Sequence, residues 1–212
     1  MKAWTEEEVT FKGDHYNCQN IRVKPKPMQR PHPPIRVGVT SAETFKIIGQ
    51  LGYPIFINPS RAFALSDLSP YIEEYLKSWK EAGHPGDGEV GLRVPIYVSD
   101  TEEKAYNEPR ESALASITSL AERVAVSASR EGTSGDWQAE SELLSKMTYD
   151  DWLRDKVIYG TPDRVSDRLA QLIEELHLKQ IVYEINFGRR IPYELQTNCL
   201  RMLADKVLPN LK

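Results

Sequence analysis

IRVGVTSAETFKIIGQLGYPIFIN, residues 35–58, decides the fold. Its first five residues are a short β-branched run that stops on Thr40-Ser41. Glu43–Leu51 then reads as a helix stopped by Gly52, and Tyr53-Pro54-Ile55-Phe56-Ile57-Asn58 reads as a second strand. Strands alternating with helices predict parallel strands joined by right-handed crossovers, hence an α/β fold.

The same pattern recurs downstream. A helix is predicted from Pro70 to Ala82, with Ser69 at its cap, Gly83 at its end and Ile72, Tyr75, Leu76 and Trp79 as its apolar stripe. GLRVPIYVSD (91–100) is a third strand, although Pro95 removes one ladder hydrogen bond. Residues 102–157 are helical but irregular, interrupted by REGTSGDW (130–137), and read as a helical insertion. Thr161-Pro162 is a cap followed by proline at the first helical position, and the helix it opens has one face of Val165, Leu169, Leu172, Ile173 and Leu176. IVYEINF (181–187) is the fourth strand. A closing helix from Tyr193 to Leu208 turns Leu195, Cys199, Met202, Leu203 and Val207 inward. Upstream, residues 1–34 hold the end of a helix at Trp4–Glu8, a hairpin bending at Gly13-Asp14, and a connector stiffened by Pro25, Pro27, Pro31, Pro33 and Pro34. The expectation is one domain over residues 1–212.

Composition narrows the classes. With 40% apolar and 27% charged residues in 212, the chain can bury a sizeable core and is not disordered throughout. A formal charge of −4 with scattered Lys and Arg predicts no nucleic-acid partner. No apolar run is long enough for a bilayer, and MKAWTEEEVTFKGDHY lacks the core of a signal peptide. Cys18 and Cys199 are too far apart in sequence to suggest a metal site, and His15, His32, His84 and His177 share no ligand spacing, so no metal is expected. Free buried thiols in a reducing cytoplasm are the better reading, with one disulfide as the alternative.

FKGDHY, KPKPMQRPHPPI, TSAET with QLGYP, YVSDTEEKA, VIYGTPDRVSDRL and VLPNL follow one another in that order. The ordered set resembles the luciferase-like flavin monooxygenase family, of the bacterial luciferase type. The resemblance implies a TIM barrel, of which these segments match strands five to eight with their helices, so a partial barrel is expected. The early loops of that family, which carry much of the substrate pocket and the catalytic histidine of the luciferases, have no counterpart in this chain. Catalytic residues therefore stay unassigned, and the chain is expected to be a truncated product, a fragment or a piece that needs a partner.

Thr40-Ser41-Ala42-Glu43 can be read from spacing as a capping box, with Glu43 reaching back to the cap. The resemblance gives the same turn a second role: the family's FMN phosphate sits at the helix after the fifth strand, which corresponds here to Thr40, Ser41, Ala42 and Thr44. The two readings are compatible, because a capped helix keeps amides free for an anion. Glu43 in the first turn would oppose a phosphate if its carboxylate turned inward. Alternation along the fourth strand points Glu184 and Asn186 into the barrel, with Asn186 nearer the carboxyl-end mouth and able to touch the cofactor. The same alternation turns Arg93, Tyr97 and Ser99 inward, where Arg93 can pair with Glu184. GTPDRV (160–165) reads as a structural helix start on the far face of the barrel, and Trp79 and Trp152 as core.

By resemblance, the function is oxidation of a small organic substrate with reduced FMN and oxygen, with a flavin reductase as a possible supplier. A deazaflavin hydride-transfer enzyme is the alternative, because the same barrel hosts both cofactors. A third reading is a non-catalytic half-barrel binding or assembly subunit. Four parallel strands expose two edges, which two copies could close as a homo-oligomer.

Overall fold

The computed structural model describes residues 1–59, 63–129 and 135–211. Two compact units divide the chain, Met1–Arg36 and Val37–Lys212.

In the first unit a short helix, α1 (Lys2–Thr5), precedes two antiparallel strands, β1 (Val9–Lys12) and β2 (Asn17–Ile21). The Gly13 amide donates to the Tyr16 carbonyl at 2.8 Å and closes the bend. The Thr10 and Asn20 side chains bond across the pair at 3.1 Å, and Arg22 bonds to Glu8. Lys26, in the proline-rich connector, donates back to the Ala3 carbonyl at 3.1 Å.

The second unit is an α/β layer built on a parallel sheet. Its elements are β3 (Val37–Val39), α2 (Ala42–Leu51), β4 (Ile55–Ile57), α3 (Ser69–Glu81), β5 (Val90–Val98), α4 (Glu102–Asn107), α5 (Arg110–Ala128), α6 (Gly135–Lys146), α7 (Tyr149–Asp155), β6 (Ile158–Gly160), α8 (Pro162–Glu175), β7 (Leu178–Glu184) and α9 (Tyr193–Met202). Leu92 is in register with Ile57 on β4 and with Ile181 on β7. A strand has only two edges, so β5 is central and the spatial order is β3-β4-β5-β7, all parallel. β6 adds to β5 further along, at Ile96–Val98. Among the described residues the sheet does not close on itself: β3 pairs only with β4, and β7 only with β5.

Alternation splits the sheet into two faces. Val39, Ile55, Ile57, Leu92 and Val94 are completely buried in the main core, with Phe45 of α2, Ile72 and Tyr75 of α3, Val165 and Leu169 of α8 and Cys199 of α9. Each such side chain contributes roughly 1.5–3 kcal/mol by leaving water. The register aligns Gly38, Phe56, Gly91 and Gln180 on the opposite face, followed by Arg93 beside Val182. Gly38, Arg93, Gln180 and Val182 are exposed there. Helices α5–α7 have a smaller core of their own, formed by Ala113, Ile117, Val124, Leu144, Tyr149 and Trp152, with Val157 and Phe187.

Several expectations are corrected. β3 is shorter than 35–39, and β7 starts at Leu178 and ends at Glu184, so Asn186 lies in the following turn. Ser69 begins α3 rather than capping it, and its hydroxyl bonds to Glu73 at 3.3 Å. Tyr97 and Ser99 do not open into a lumen. Both are buried, and both donate to Glu108 Oε2, at 2.8 and 3.0 Å. The interruption read at 130–137 falls on residues 130–134, outside the described residues; from Gly135 the backbone is helical.

Candidate functional site

At the carboxyl ends of the strands lies a cavity of about 640 Å³. The sheet contributes Thr40 after β3, Asn58 after β4, Arg93 from β5 and Glu184 at the end of β7. The loop after β7 adds Phe187, Gly188 and Arg189. Helix α5 forms the facing wall with Ala115, Ser116, Ser119, Leu120, Arg123, Val124 and Ser127. Parallel strands gather their βα turns at one end, which is why side chains distant in sequence converge here.

The Thr40–Thr44 turn opens α2. Ser41 rather than Thr40 is the N-cap, with extended backbone, φ −138° and ψ 151°, and its side chain makes no capping bond, so the capping box read with Thr40 as its cap does not form. The Ser41 hydroxyl instead meets the Thr44 hydroxyl at 2.6 Å, and both residues are half-buried. Ala42 is the first helical residue and is exposed. The Glu43 carboxylate folds onto its own amide, with the Ser41 hydroxyl as second donor, and these bonds hold its pKa below the ordinary carboxylate value. The helix end is thus occupied by a carboxylate of its own first turn. The hydroxyls of Thr40, Ser41 and Thr44 and the first-turn amides are the donor chemistry a phosphate monoester requires.

Arg93 and Glu184 pair at 2.7 Å, which leaves no net charge from those two lining side chains. Asn186 is absent from the lining residues, and its Oδ1 accepts from the Ile191 amide at 3.1 Å. It shapes the loop that carries Arg189. Gly188 has φ +86°, and a Cβ there would lie 1.8 Å from the Ser112 carbonyl oxygen, so this loop rests directly on the start of α5. Gly160-Thr161 is not on a far face. β6 runs parallel to the end of β5, so this turn too lies at the carboxyl end. Its donors are already engaged: the Thr161 amide and hydroxyl donate to Glu102 at 3.2 and 3.0 Å, and Arg164 pairs with the same carboxylate at 2.9 Å.

Sequence reasoning missed the α5 wall. The signal was present as a polar stripe, Ser116, Ser119, Arg123 and Ser127, spaced three, four and four residues apart. Lys156 was also missed. It is buried, burial pushes its pKa down, and its ammonium donates to the Pro59 and Phe63 carbonyls at 3.2 and 2.5 Å.

Residues 1–180 match the family described as luciferase-like monooxygenase. The FMNH2-dependent dimethylsulfone monooxygenase of Pseudomonas putida is 28% identical over 180 residues, which is 80% of this chain and 46% of the relative. The counterpart from Pseudomonas fluorescens is 27% identical, over 80% of this chain and 45% of its own length. The chain therefore spans about half the length of the curated relatives it matches. Among solved structures, monooxygenase RslO1 from Streptomyces bottropensis superposes with a TM-score of 0.68 at 20% identity, covering 100% of this chain and 58% of that one. At such identity the likeness shows the fold alone.

Proposed function

We propose a function from one premise: the chain belongs to the luciferase-like monooxygenase family. The protein is a flavin-dependent oxidoreductase of the monooxygenase type, and the cavity at the carboxyl ends of β3, β4 and β7 is its flavin site. One observation carries this reading: Thr40, which leads into α2, lines the cavity, and Ser41, Ala42 and Thr44, which are not themselves lining residues, follow it in the same turn.

Thr40, Ser41, Thr44 and the Ala42 amide would hold the FMN phosphate, with Asn186 acting on the site through its loop. Reduced flavin, when bound, supplies the electrons and the ring that activates oxygen toward a small organic substrate. The chain's own residues bind and orient. Phe187, Leu120 and Val124 give the cavity an apolar wall that limits water, and the Arg93–Glu184 pair fixes the polarity of its floor. Anaerobic titration of the protein with FMNH2, followed by a turnover assay with a flavin reductase and oxygen, tests the assignment. Saturable binding and an oxygenated product support it; the absence of saturable binding overturns it.

Deazaflavin hydride transfer is the second reading, because F420-dependent enzymes share this fold. The coenzyme F420-dependent tetrahydromethanopterin reductase of Methanopyrus kandleri superposes with a TM-score of 0.66 at 18% identity, over 100% of this chain and 60% of that one. Displacement of FMN by a deazaflavin decides between the two cofactors.

The sheet corresponds to strands five to eight of a barrel, a partial barrel whose two open edges are covered in the working protein. A second copy or a separate N-terminal half would do this. The two free cysteines accord with a cytoplasmic setting.

A further inference from the structure

We infer that Arg123 and Arg189 form an anion clamp for the substrate, so that the ligand oxidised here is a small amphiphile ending in a carboxylate or sulfonate. The inference rests on the flavin site proposed above and specifies what shares the cavity with it. Both arginines line the cavity, one from α5 and one from the loop after β7. Among the described residues neither has a carboxylate partner, whereas Arg93 is neutralised by Glu184 at 2.7 Å and Arg190, next in the same loop, faces Glu111 at 3.4 Å. Among the described residues Arg123 makes one side-chain hydrogen bond, from Nε to the Ser119 carbonyl at 3.2 Å, which leaves its terminal nitrogens for a ligand.

Arg123 and Arg189 are both exposed, so their guanidinium groups are open to a ligand entering the cavity. Planar guanidinium matches the oxygens of a carboxylate or sulfonate in paired hydrogen bonds. In the flavin site proposed above the phosphate is met at the α2 terminus, and on that reading the arginines are surplus to the cofactor. Leu120, Val124 and Phe187 beside them offer an apolar surface to a short hydrocarbon chain. A charged head and an apolar tail therefore have separate places.

Calorimetric titration of the flavin-free, full-length protein with butyrate, butanesulfonate and the neutral isostere butyramide tests the clamp. The two anions are expected to bind at least about tenfold more tightly than the amide, and Arg123→Gln and Arg189→Gln each to weaken them about tenfold. FMN affinity is expected to stay within about twofold in both variants, and Arg190→Gln to leave anion binding unchanged. Butyramide binding as tightly as butyrate, or no anion binding, overturns the inference. So does a larger loss of FMN affinity in either arginine variant, since the arginines would then serve the cofactor phosphate. Should FMN fail to bind the wild-type protein, the flavin reading falls while the anion titrations still decide the clamp.

Discussion

Ser112 and Phe187 join the two walls of the cavity. The Ser112 hydroxyl at the start of α5 donates to the Phe187 carbonyl after β7 at 2.5 Å, and it accepts from the Arg190 amide at 2.9 Å. Ser112 is buried, so water replaces neither bond. Ser112→Ala is expected to cost about 1–3 kcal/mol, because two backbone groups lose their partner. Gly188→Ala is expected to cost more, since positive φ and contact with the Ser112 carbonyl oppose any side chain at that point. Urea unfolding of the two variants gives both values; a Gly188→Ala protein as stable as wild type would contradict the close packing.

Glu43 competes with phosphate for the end of α2. Its pKa is held below the ordinary value by its own amide first and the Ser41 hydroxyl second, so it stays ionised at neutral pH. Glu43→Gln is expected to tighten FMN binding by about two- to fivefold. Ser41→Ala combined with Thr44→Ala is expected to weaken it by about tenfold or more, through lost charge-assisted hydrogen bonds. The affinity gap between wild type and Glu43→Gln should close as pH falls through the carboxylate range, where Glu43 takes up its proton. Fluorescence titration of FMN at several pH values measures all three effects.

A second pH effect concerns folding. Asp151 completes the capping box of α7: its carboxylate accepts from the Thr148 hydroxyl and amide at 2.6 and 3.0 Å, and Arg154 approaches at 2.9 Å. The Thr148 hydroxyl above all, then its amide, then Arg154 lower the pKa to about 2 from an ordinary 3.8. A depressed folded pKa means stability that is present above the ordinary value and lost as pH falls through about 2. Thermal melts from neutral to acid pH should show this loss, and Asp151→Asn should lower neutral stability while flattening that part of the curve. Equal slopes in both proteins would contradict the linkage.

The order of most strands and helices was legible because hydrophobic periodicity reports burial, and burial here follows a simple layer; the three-residue β6 (Ile158–Gly160) was missed because it is too short to show a period. Val39, Ile57 and Leu92 alternate as a half-buried sheet must, and the α8 stripe repeats at helical spacing. Strand ends were less legible. Asn186 continues the alternation of β7 in sequence, yet backbone turning after Glu184 takes it out of the strand. Caps were misread for a related reason. The cap read at Thr40 falls one residue later, at Ser41, and Ser69 lies inside α3 with its hydroxyl on Glu73; Thr161 is the N-cap as read, but its hydroxyl goes to Glu102 rather than to a first-turn amide. The α5 wall was hidden because a polar stripe on a helix looks like a solvated face until its packing against the sheet is known.

The open edges of β3 and β7 make a prediction about assembly. Unpaired parallel strands expose backbone donors and acceptors, which favours association. Light scattering on the purified chain should give a mass at least twice that of a single copy; a monodisperse monomer across a wide concentration range would show that the edges are tolerated uncovered.

The most direct measurement compares FMN with riboflavin, which has the same ring and lacks the phosphate. If the turn after β3 grips that phosphate in the carboxyl-end cavity, FMN binds at least about tenfold more tightly, and Ser41→Ala with Thr44→Ala brings the two affinities together. Equal affinity for the two flavins in the wild-type protein, or no binding of either, would contradict the account.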